Sequence, residues 1–229
     1  MLKNIKERRL FPTLIFITIG FIIVHLFHTY YGVPASDMFD LEIDNNYPEF
    51  FLYIQELAIA VLLFLMYRHS NQLLYLAWGL IFVYILLDDS LLLHERIGVY
   101  LVERFDVQNN FGVRGRDITE VIVQLFFGIP LILFMVWAHF FRSDRFARKV
   151  SAWLFALFAL LVSFAIVLDW FHVKIMIIDL KPVLGTIEDG AEMFVLTGIL
   201  WYAFRQWKNL TSGRSTPAFD STPIRGGPN

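Results

Sequence analysis

Six runs of mostly apolar residues, each about 20 residues long, limit what this chain can fold into more than any other feature. They cover approximately residues 10–30, 48–67, 72–94, 117–141, 150–171 and 187–207. The chain is 57% hydrophobic and 17% charged, whereas soluble domains are about half apolar and about a quarter charged. We therefore predict an all-α polytopic membrane protein with six transmembrane helices within residues 1–207. Residues 208–229 are rich in Ser, Thr, Gly and Pro, and we expect a disordered tail there.

The distribution of Lys and Arg predicts the orientation of these helices. If both termini lie inside, thirteen of the 19 Lys and Arg residues fall in the inner segments and the first outer loop has none. Inner loops of membrane proteins carry this excess of positive charge. The first run is of span length and lacks the small residues of a cleavage site, so we expect a retained helix. The sequence thus predicts a cell (inner) membrane protein with cytoplasmic termini.

Several functional classes receive no support from the composition. The net charge is −2, which gives no reason to expect nucleic-acid binding. The chain has no cysteine, so any metal site must use His, Asp and Glu side chains. Gly-x-Ser-x-Gly, P-loop and His-Glu-x-x-His motifs are absent from the sequence.

Acidic and histidine side chains gather at the predicted outer ends of the spans. Ionisable residues in a membrane segment are costly to bury and usually functional. Some fit helix capping instead, such as Asp117, Glu188 and Asp189, but Glu56 and Glu192 lie among apolar residues below the surface. A lone carboxylate there must be protonated or paired with a cation.

The stretch from Asp88 to Glu95 ends the third run with Asp-Asp, three leucines, His and Glu. In a regular helix Asp88 and Glu95 share one face, while Asp89 is turned by about 100°. We therefore expect all four polar residues to converge only if the helix ends or unwinds near Leu93.

The spacing of these residues is typical of a metal site built from several helices. Asp169 and His172 form an i, i+3 pair, and Glu188 and Glu192 form an i, i+4 pair; carboxylate-bridged dimetal centres use ligands of this kind. We expect one or two divalent ions, iron, manganese or zinc. The predicted metal ligands are Glu56, Asp88, Asp89, Glu95, Asp169, His172, Glu188 and Glu192.

Four further residues have predicted roles beside the metal. His94 or Glu120 is the candidate catalytic group, acting as a general base on metal-bound water or supporting a ligand. Arg114 and Arg116 are candidates for binding an anionic group.

Two motifs in this chain resemble those of a widespread set of uncharacterised prokaryotic multi-pass membrane proteins. One is Asp88-Asp89 followed by His94-Glu95, similar to Asp-Glu-x-x-x-x-His-Glu. The other is Ile-Glu-Asp-Gly-Ala-Glu over residues 187–192, similar to Leu-Glu-Glu-Gly-x-Glu. The resemblance implies a multi-pass membrane fold and no particular reaction. Alkaline-ceramidase-like membrane hydrolases have a closing His-x-x-x-His that this chain lacks.

Three functions follow from this pattern. The first is a metal-dependent membrane enzyme acting on a lipid or another small amphiphilic substrate in the bilayer. The second is a cation or proton carrier that uses the same carboxylates; the inner halves of the spans offer no polar path, although Gly128 and Pro130 can kink the fourth span. The third is an accessory subunit whose acidic and arginine residues form a structural ion-pair network.

Overall fold

The computed structural model describes residues 2–41, 43, 45–109, 114–174 and 181–212, with only the backbone described for residues 2–8, 165–174 and 181–184. Within these ranges the chain is all-helical. A short 3-10 turn covers Asp37–Phe39, and the seven α-helices are α1 (Leu2–Tyr31), α2 (Tyr47–Ser70), α3 (Leu73–Leu91), α4 (Leu93–Phe105), α5 (Gly115–Phe141), α6 (Arg145–Lys174) and α7 (Lys181–Thr211).

Five of these helices contain segments long and apolar enough to cross a membrane. The segments are Arg9–Tyr31, Tyr47–Ser70, Leu73–Leu91, Gly115–Phe141 and Arg145–Phe164. The first five predicted spans overlap them, so the prediction of a helical multi-pass membrane protein is confirmed. The sixth predicted span lies in α7, which is helical but is not among these segments. Six crossings and cytoplasmic termini therefore stay predictions.

The α2–α3 hairpin forms because local signals stop one helix and start the next. The side chain of Asn46 accepts a hydrogen bond from the backbone N–H of Glu49 and so caps the start of α2. Asn71 ends α2 in the left-handed conformation, with φ of 53°, which Asn tolerates better than most residues. The two helices then pack along their length.

The main apolar core lies between α2, α3, α6 and α7. Ile59, Leu63, Trp78 and Ile199 are at most 1% exposed. Within this core the indole N–H of Trp78 donates to the hydroxyl of Ser151 on α6 at 2.8 Å. Buried indole N–H groups usually need such a partner, so this contact fixes α3 against α6. In addition α7 packs against α1, and α5 packs against α3 and α4.

Two expectations about the region after the third span were wrong. The third span was expected to reach residue 94, but α3 ends at Leu91 and Leu92 adopts a left-handed conformation with φ of 51°. The segment 95–116, between the third and fourth predicted spans, was expected to be a loop, but half of it, residues 95–105, lies in α4. This helix is amphipathic, with apolar residues such as Leu93, Ile97 and Leu101 at helical spacing, and it packs closely on α5.

Candidate functional site

The carboxyl groups of Glu56 on α2 and Asp89 on α3 lie within hydrogen-bonding reach of each other. Glu56 is only 4% exposed, and its Oε2 atom has no hydrogen-bond partner within the described residues. A hydrogen bond between two carboxyl groups requires a proton on one of them, because two adjacent carboxylates cannot both ionise without a cation between them. This pair is the chemically most unusual contact of the described structure.

A third carboxylate, Glu192 on α7, faces the same region. The carboxylates of Glu192 and Glu56 are close enough to repel each other, and so are those of Asp89 and Glu192. Glu188, one turn earlier on α7, acts on Glu192. Glu56, Asp89 and Glu192 thus influence one another from three helices, and only the first two are in direct contact.

Tyr53 and Glu49 lie at the outer edge of this carboxylate group. The hydroxyl of Tyr53 donates to Oε2 of Glu49 at 2.8 Å and lies 3.3 Å from the backbone carbonyl oxygen of Asp89. Glu49 Oε2 also accepts a hydrogen bond from the backbone N–H of Asn45. Glu49 is therefore held in the cap of α2, and Tyr53 connects α2 to the end of α3.

Asp88 does not face the Glu56–Asp89 pair and instead binds His94. One carboxylate oxygen of Asp88 accepts the backbone N–H of His94 at 3.0 Å, and the other lies 3.0 Å from Nδ1 of the His94 ring. The left-handed break at Leu92 makes this contact possible, because it turns the chain back toward Asp88. The close contact with the Asp88 carboxylate raises the pKa of His94 above its usual value.

The remaining predicted residues of this region form ion pairs on the surface of α4 and α5. Arg116 donates to Glu95 and to Glu120, both at 2.5 Å. Arg114 pairs with Asp117 at 2.9 Å, which raises the pKa of Arg114 further. Glu95 and Glu120 are thus neutralised by an arginine, and the two predicted anion-binding arginines contact carboxylates of their own chain.

A buried polar cluster below Glu56 was missed by the sequence interpretation. Gln55 Oε1 accepts a hydrogen bond from Thr197 on α7 at 3.2 Å, and Thr197 lies 3.4 Å from Thr18 on α1. All three side chains are at most 1% exposed, and the Gln55 Nε2 atom is buried without a partner within the described residues. The available signal was the presence of Gln and Thr inside apolar runs, where polar residues tend to bind one another.

His25 on α1 is a further buried polar side chain of the same bundle. Its Nε2 atom is 3.0 Å from the hydroxyl of Thr186 on α7, and its Nδ1 atom accepts the backbone N–H of Leu41 at 3.0 Å. The same Nδ1 atom also lies 3.2 Å from a carboxylate oxygen of Asp40. This histidine therefore ties α7 and the loop after α1 to α1.

The described side chains do not form the single metal-binding cluster that the sequence predicted. Within the parts of the chain that are described, no group of three or more His, Asp and Glu residues is placed to hold a metal ion. Asp169 and His172 lie on α6, but their side chains are outside the described residues. The predicted ligands whose side chains are described lie in three settings: Glu56, Asp89 and Glu192 with the neighbouring Glu188, the Asp88–His94 pair, and the ion pair of Glu95 with Arg116.

The fold and the site define an integral membrane protein of the helical multi-pass class with a carboxyl pair between its helices. The sequence profile of DUF8692, a domain of unknown function, matches residues 13–206, and the chain belongs to this family. Neither a curated protein nor a solved structure matches the chain. The match confirms the likeness to a family without an assigned reaction, while the two motifs quoted for it stay predictions.

Proposed function

We propose that this chain crosses the membrane six times and binds a proton between Glu56, Asp89 and Glu192, as part of a proton-coupled carrier. The observation that supports the proposal best is the close approach of the carboxyl groups of Glu56 and Asp89 at a position where Glu56 is only 4% exposed. Such a pair needs one shared proton when no other cation is bound.

The surroundings of the pair favour a proton that can be exchanged. The strongest electrostatic influences on Glu56 come from other carboxylates, those of Asp89, Glu192 and Glu49. Carboxylates in a membrane bundle that are not neutralised by Arg or Lys are typical of proton relays. The buried cluster of Gln55, Thr197 and Thr18 lies beside these carboxylates, since Gln55 adjoins Glu56 on α2 and Thr197 follows Glu192 on α7.

A divalent metal at the same carboxylates is the second proposal, and with it a metal-dependent enzyme acting on a lipid or other amphiphile. Its support is the approach of carboxylates from three helices, which suits iron, manganese or zinc. In this case Asp169 and His172 on α6 would complete the ligand set. His94 keeps its contact with Asp88 in either proposal.

Infrared difference spectroscopy on the purified full chain tests the protonation directly. We expect the C=O stretch of a protonated carboxylic acid at neutral pH in the wild-type protein, and its loss in Glu56→Gln, because Gln has the same size but no exchangeable acid proton. Glu103→Gln changes an exposed glutamate of α4 and is the matched control. The absence of this band from the wild-type protein would overturn the proton proposal.

Proton movement is then measured in proteoliposomes with an internal pH-sensitive dye and an imposed pH gradient. We expect Glu56→Gln and Glu192→Gln to reduce the flux at least about tenfold relative to wild type and Glu103→Gln, which corresponds to about 1.4 kcal/mol in the barrier. Elemental analysis of the same preparations addresses the second proposal. If the wild type contains stoichiometric metal and Glu56→Gln does not, the carboxylates bind a metal ion and the proton proposal is overturned.

A further inference from the structure

The helices α5 and α6 pack on different neighbours although they follow each other in the chain. Only residues 142–144 separate them, yet α5 packs closely on α3 and α4, whereas α6 packs on α7 and α3. Within the described residues no comparable packing joins α5 to α6. A groove is therefore left between them, open to the side of the bundle.

Two adjoining cavities occupy this groove. The one nearer the 142–144 turn has a volume of about 340 Å³ and is lined by Val136, His139 and Phe140 on α5 and by Ala152 on α6. The second, of about 170 Å³, lies deeper against Trp78. Met135 and Phe155 line both cavities, so the two form one elongated, mostly apolar space.

A cluster of positive charge lies at one end of this groove. Arg142, Arg145, Arg148 and Lys149 are all exposed. Because residues three, four and seven apart share a helix face, Arg145, Arg148 and Lys149 lie on the same side of α6 as Ala152. Arg142 lies over the ring of Trp137 at 6.0 Å.

Asp144, the acidic residue of the turn between α5 and α6, makes hydrogen bonds to the start of α6 and to Gln72, the residue before α3. Asp144 accepts a hydrogen bond from the backbone N–H of Ala147 at the start of α6, and its own backbone N–H donates to Gln72. Arg148 donates to the backbone carbonyls of Ser143 and Phe140 and so holds the turn in shape. The charge at the mouth of the groove is thus strongly positive, with Arg145 and Lys149 exposed beside it.

We propose that this groove binds one anionic phospholipid, with an acyl chain along the apolar space between α5 and α6 and the phosphate head group at Arg145 and Lys149. An elongated apolar groove that ends in several cationic side chains complements the two parts of such a molecule. Basic pockets between helices at the membrane surface bind anionic head groups in this way. The proposal is independent of the carboxylate site, which lies between other helices.

Native mass spectrometry of the full chain with added phosphatidylglycerol or phosphatidylcholine tests the proposal. We expect the wild type to retain one phosphatidylglycerol in preference to phosphatidylcholine. The double variant Arg145→Gln/Lys149→Gln should bind phosphatidylglycerol about thirtyfold more weakly, since each cation near an anionic surface contributes to binding. Ala152→Phe should fill the groove and weaken binding of both lipids.

Matched controls separate this site from general lipid contact. Arg68→Gln/Arg205→Gln removes two exposed charges elsewhere, and Val61→Phe enlarges an exposed apolar residue of α2; both should bind phosphatidylglycerol like the wild type. Equal retention of the two lipids by the wild type and all variants would overturn the proposal. So would a stable dimer in which α5 and α6 of two copies cross-link and no lipid is retained.

Discussion

Two of the four polar residues at the end of the third predicted span, Asp88 and His94, contact each other. Asp88 binds both the backbone and the ring of His94, and it is 7% exposed. A carboxylate near the end of a helix is disfavoured by the helix dipole, so Asp88 needs such partners. Its role in the structure is to hold the start of α4 against the end of α3.

This contact predicts a dependence of stability on pH. The pKa of His94 is raised in the folded protein by its contact with Asp88. The stabilisation is therefore fully present below the pKa of an unfolded histidine and is lost as the pH rises through the raised folded pKa. We expect a loss on the order of 0.5–1 kcal/mol, measured by thermal unfolding in detergent from about pH 5 to pH 9.

His94→Gln is the matched variant for this measurement. It should be less stable than the wild type at low pH and should show a flatter profile over the same range. The role assigned to His94 would be wrong if the variant and the wild type lost stability in parallel as the pH rises.

At the scale of the elements, the break at Leu92 separates the four residues of the Asp88–Glu95 stretch. Asp89 lies with Glu56, Asp88 binds His94, and Glu95 on α4 pairs with Arg116. Helical periodicity indicated that the four residues could converge on one site only if the helix ended near Leu93, and it does end at Leu91. It did not show that they would then point to different partners, since this depends on where α2 and α5 pack.

The close approach of α4 to α5 depends on Gly98. A Cβ atom at this position would lie 2.8 Å from Cγ of Glu120 and 3.3 Å from its backbone nitrogen. The hydroxyl of Thr119 also donates to the carbonyl of Gly98 at 2.9 Å. We expect Gly98→Ala to destabilise the protein by about 1 kcal/mol or more, because the two helices must move apart.

Gly20→Ala is the control for this change, since nothing lies within 4 Å of a Cβ atom there. It should be neutral or stabilising by up to about 1 kcal/mol, the usual gain of Ala over Gly within a helix. Thermal unfolding of both variants under one condition gives the comparison. A destabilisation of equal size in both would show that the α4–α5 contact is not tight.

At the scale of the whole molecule, the open question is whether α7 crosses the membrane. α7 carries Glu188 and Glu192, yet Met193, Leu196, Ile199 and Ala203 on it are buried in the bundle. It packs against α1, α2 and α6, each of which contains a segment able to span the membrane. We therefore expect a sixth crossing, shielded from lipid by its neighbours.

Single cysteines in this cysteine-free chain test the topology with a membrane-impermeant maleimide. Gln108→Cys follows α4 and should react from outside in intact cells. Ser143→Cys, in the α5–α6 turn, and Ser212→Cys, at the end of α7, should react only after the membrane is permeabilised. Labelling of Ser212→Cys from outside would indicate five crossings and would refute the shared side of the two termini.

The sequence by itself determined the class of protein and the first five apolar helices. Spans of this length have no other stable arrangement in a bilayer, since backbone groups must be hydrogen-bonded within the segment. It also pointed to Glu56 and Glu192, because carboxylates buried among apolar residues must find a proton or a cation. These conclusions follow from the local sequence alone.

Only the tertiary structure decided which of the polar residues meet. Glu56 and Asp89 come together because α2 and α3 pack along their length, whereas Asp88, one residue earlier, turns toward His94. The groove between α5 and α6 likewise results from how each of them packs on other helices. Periodicity gives the face of a helix on which a residue lies, but the partner of that face is set by long-range packing.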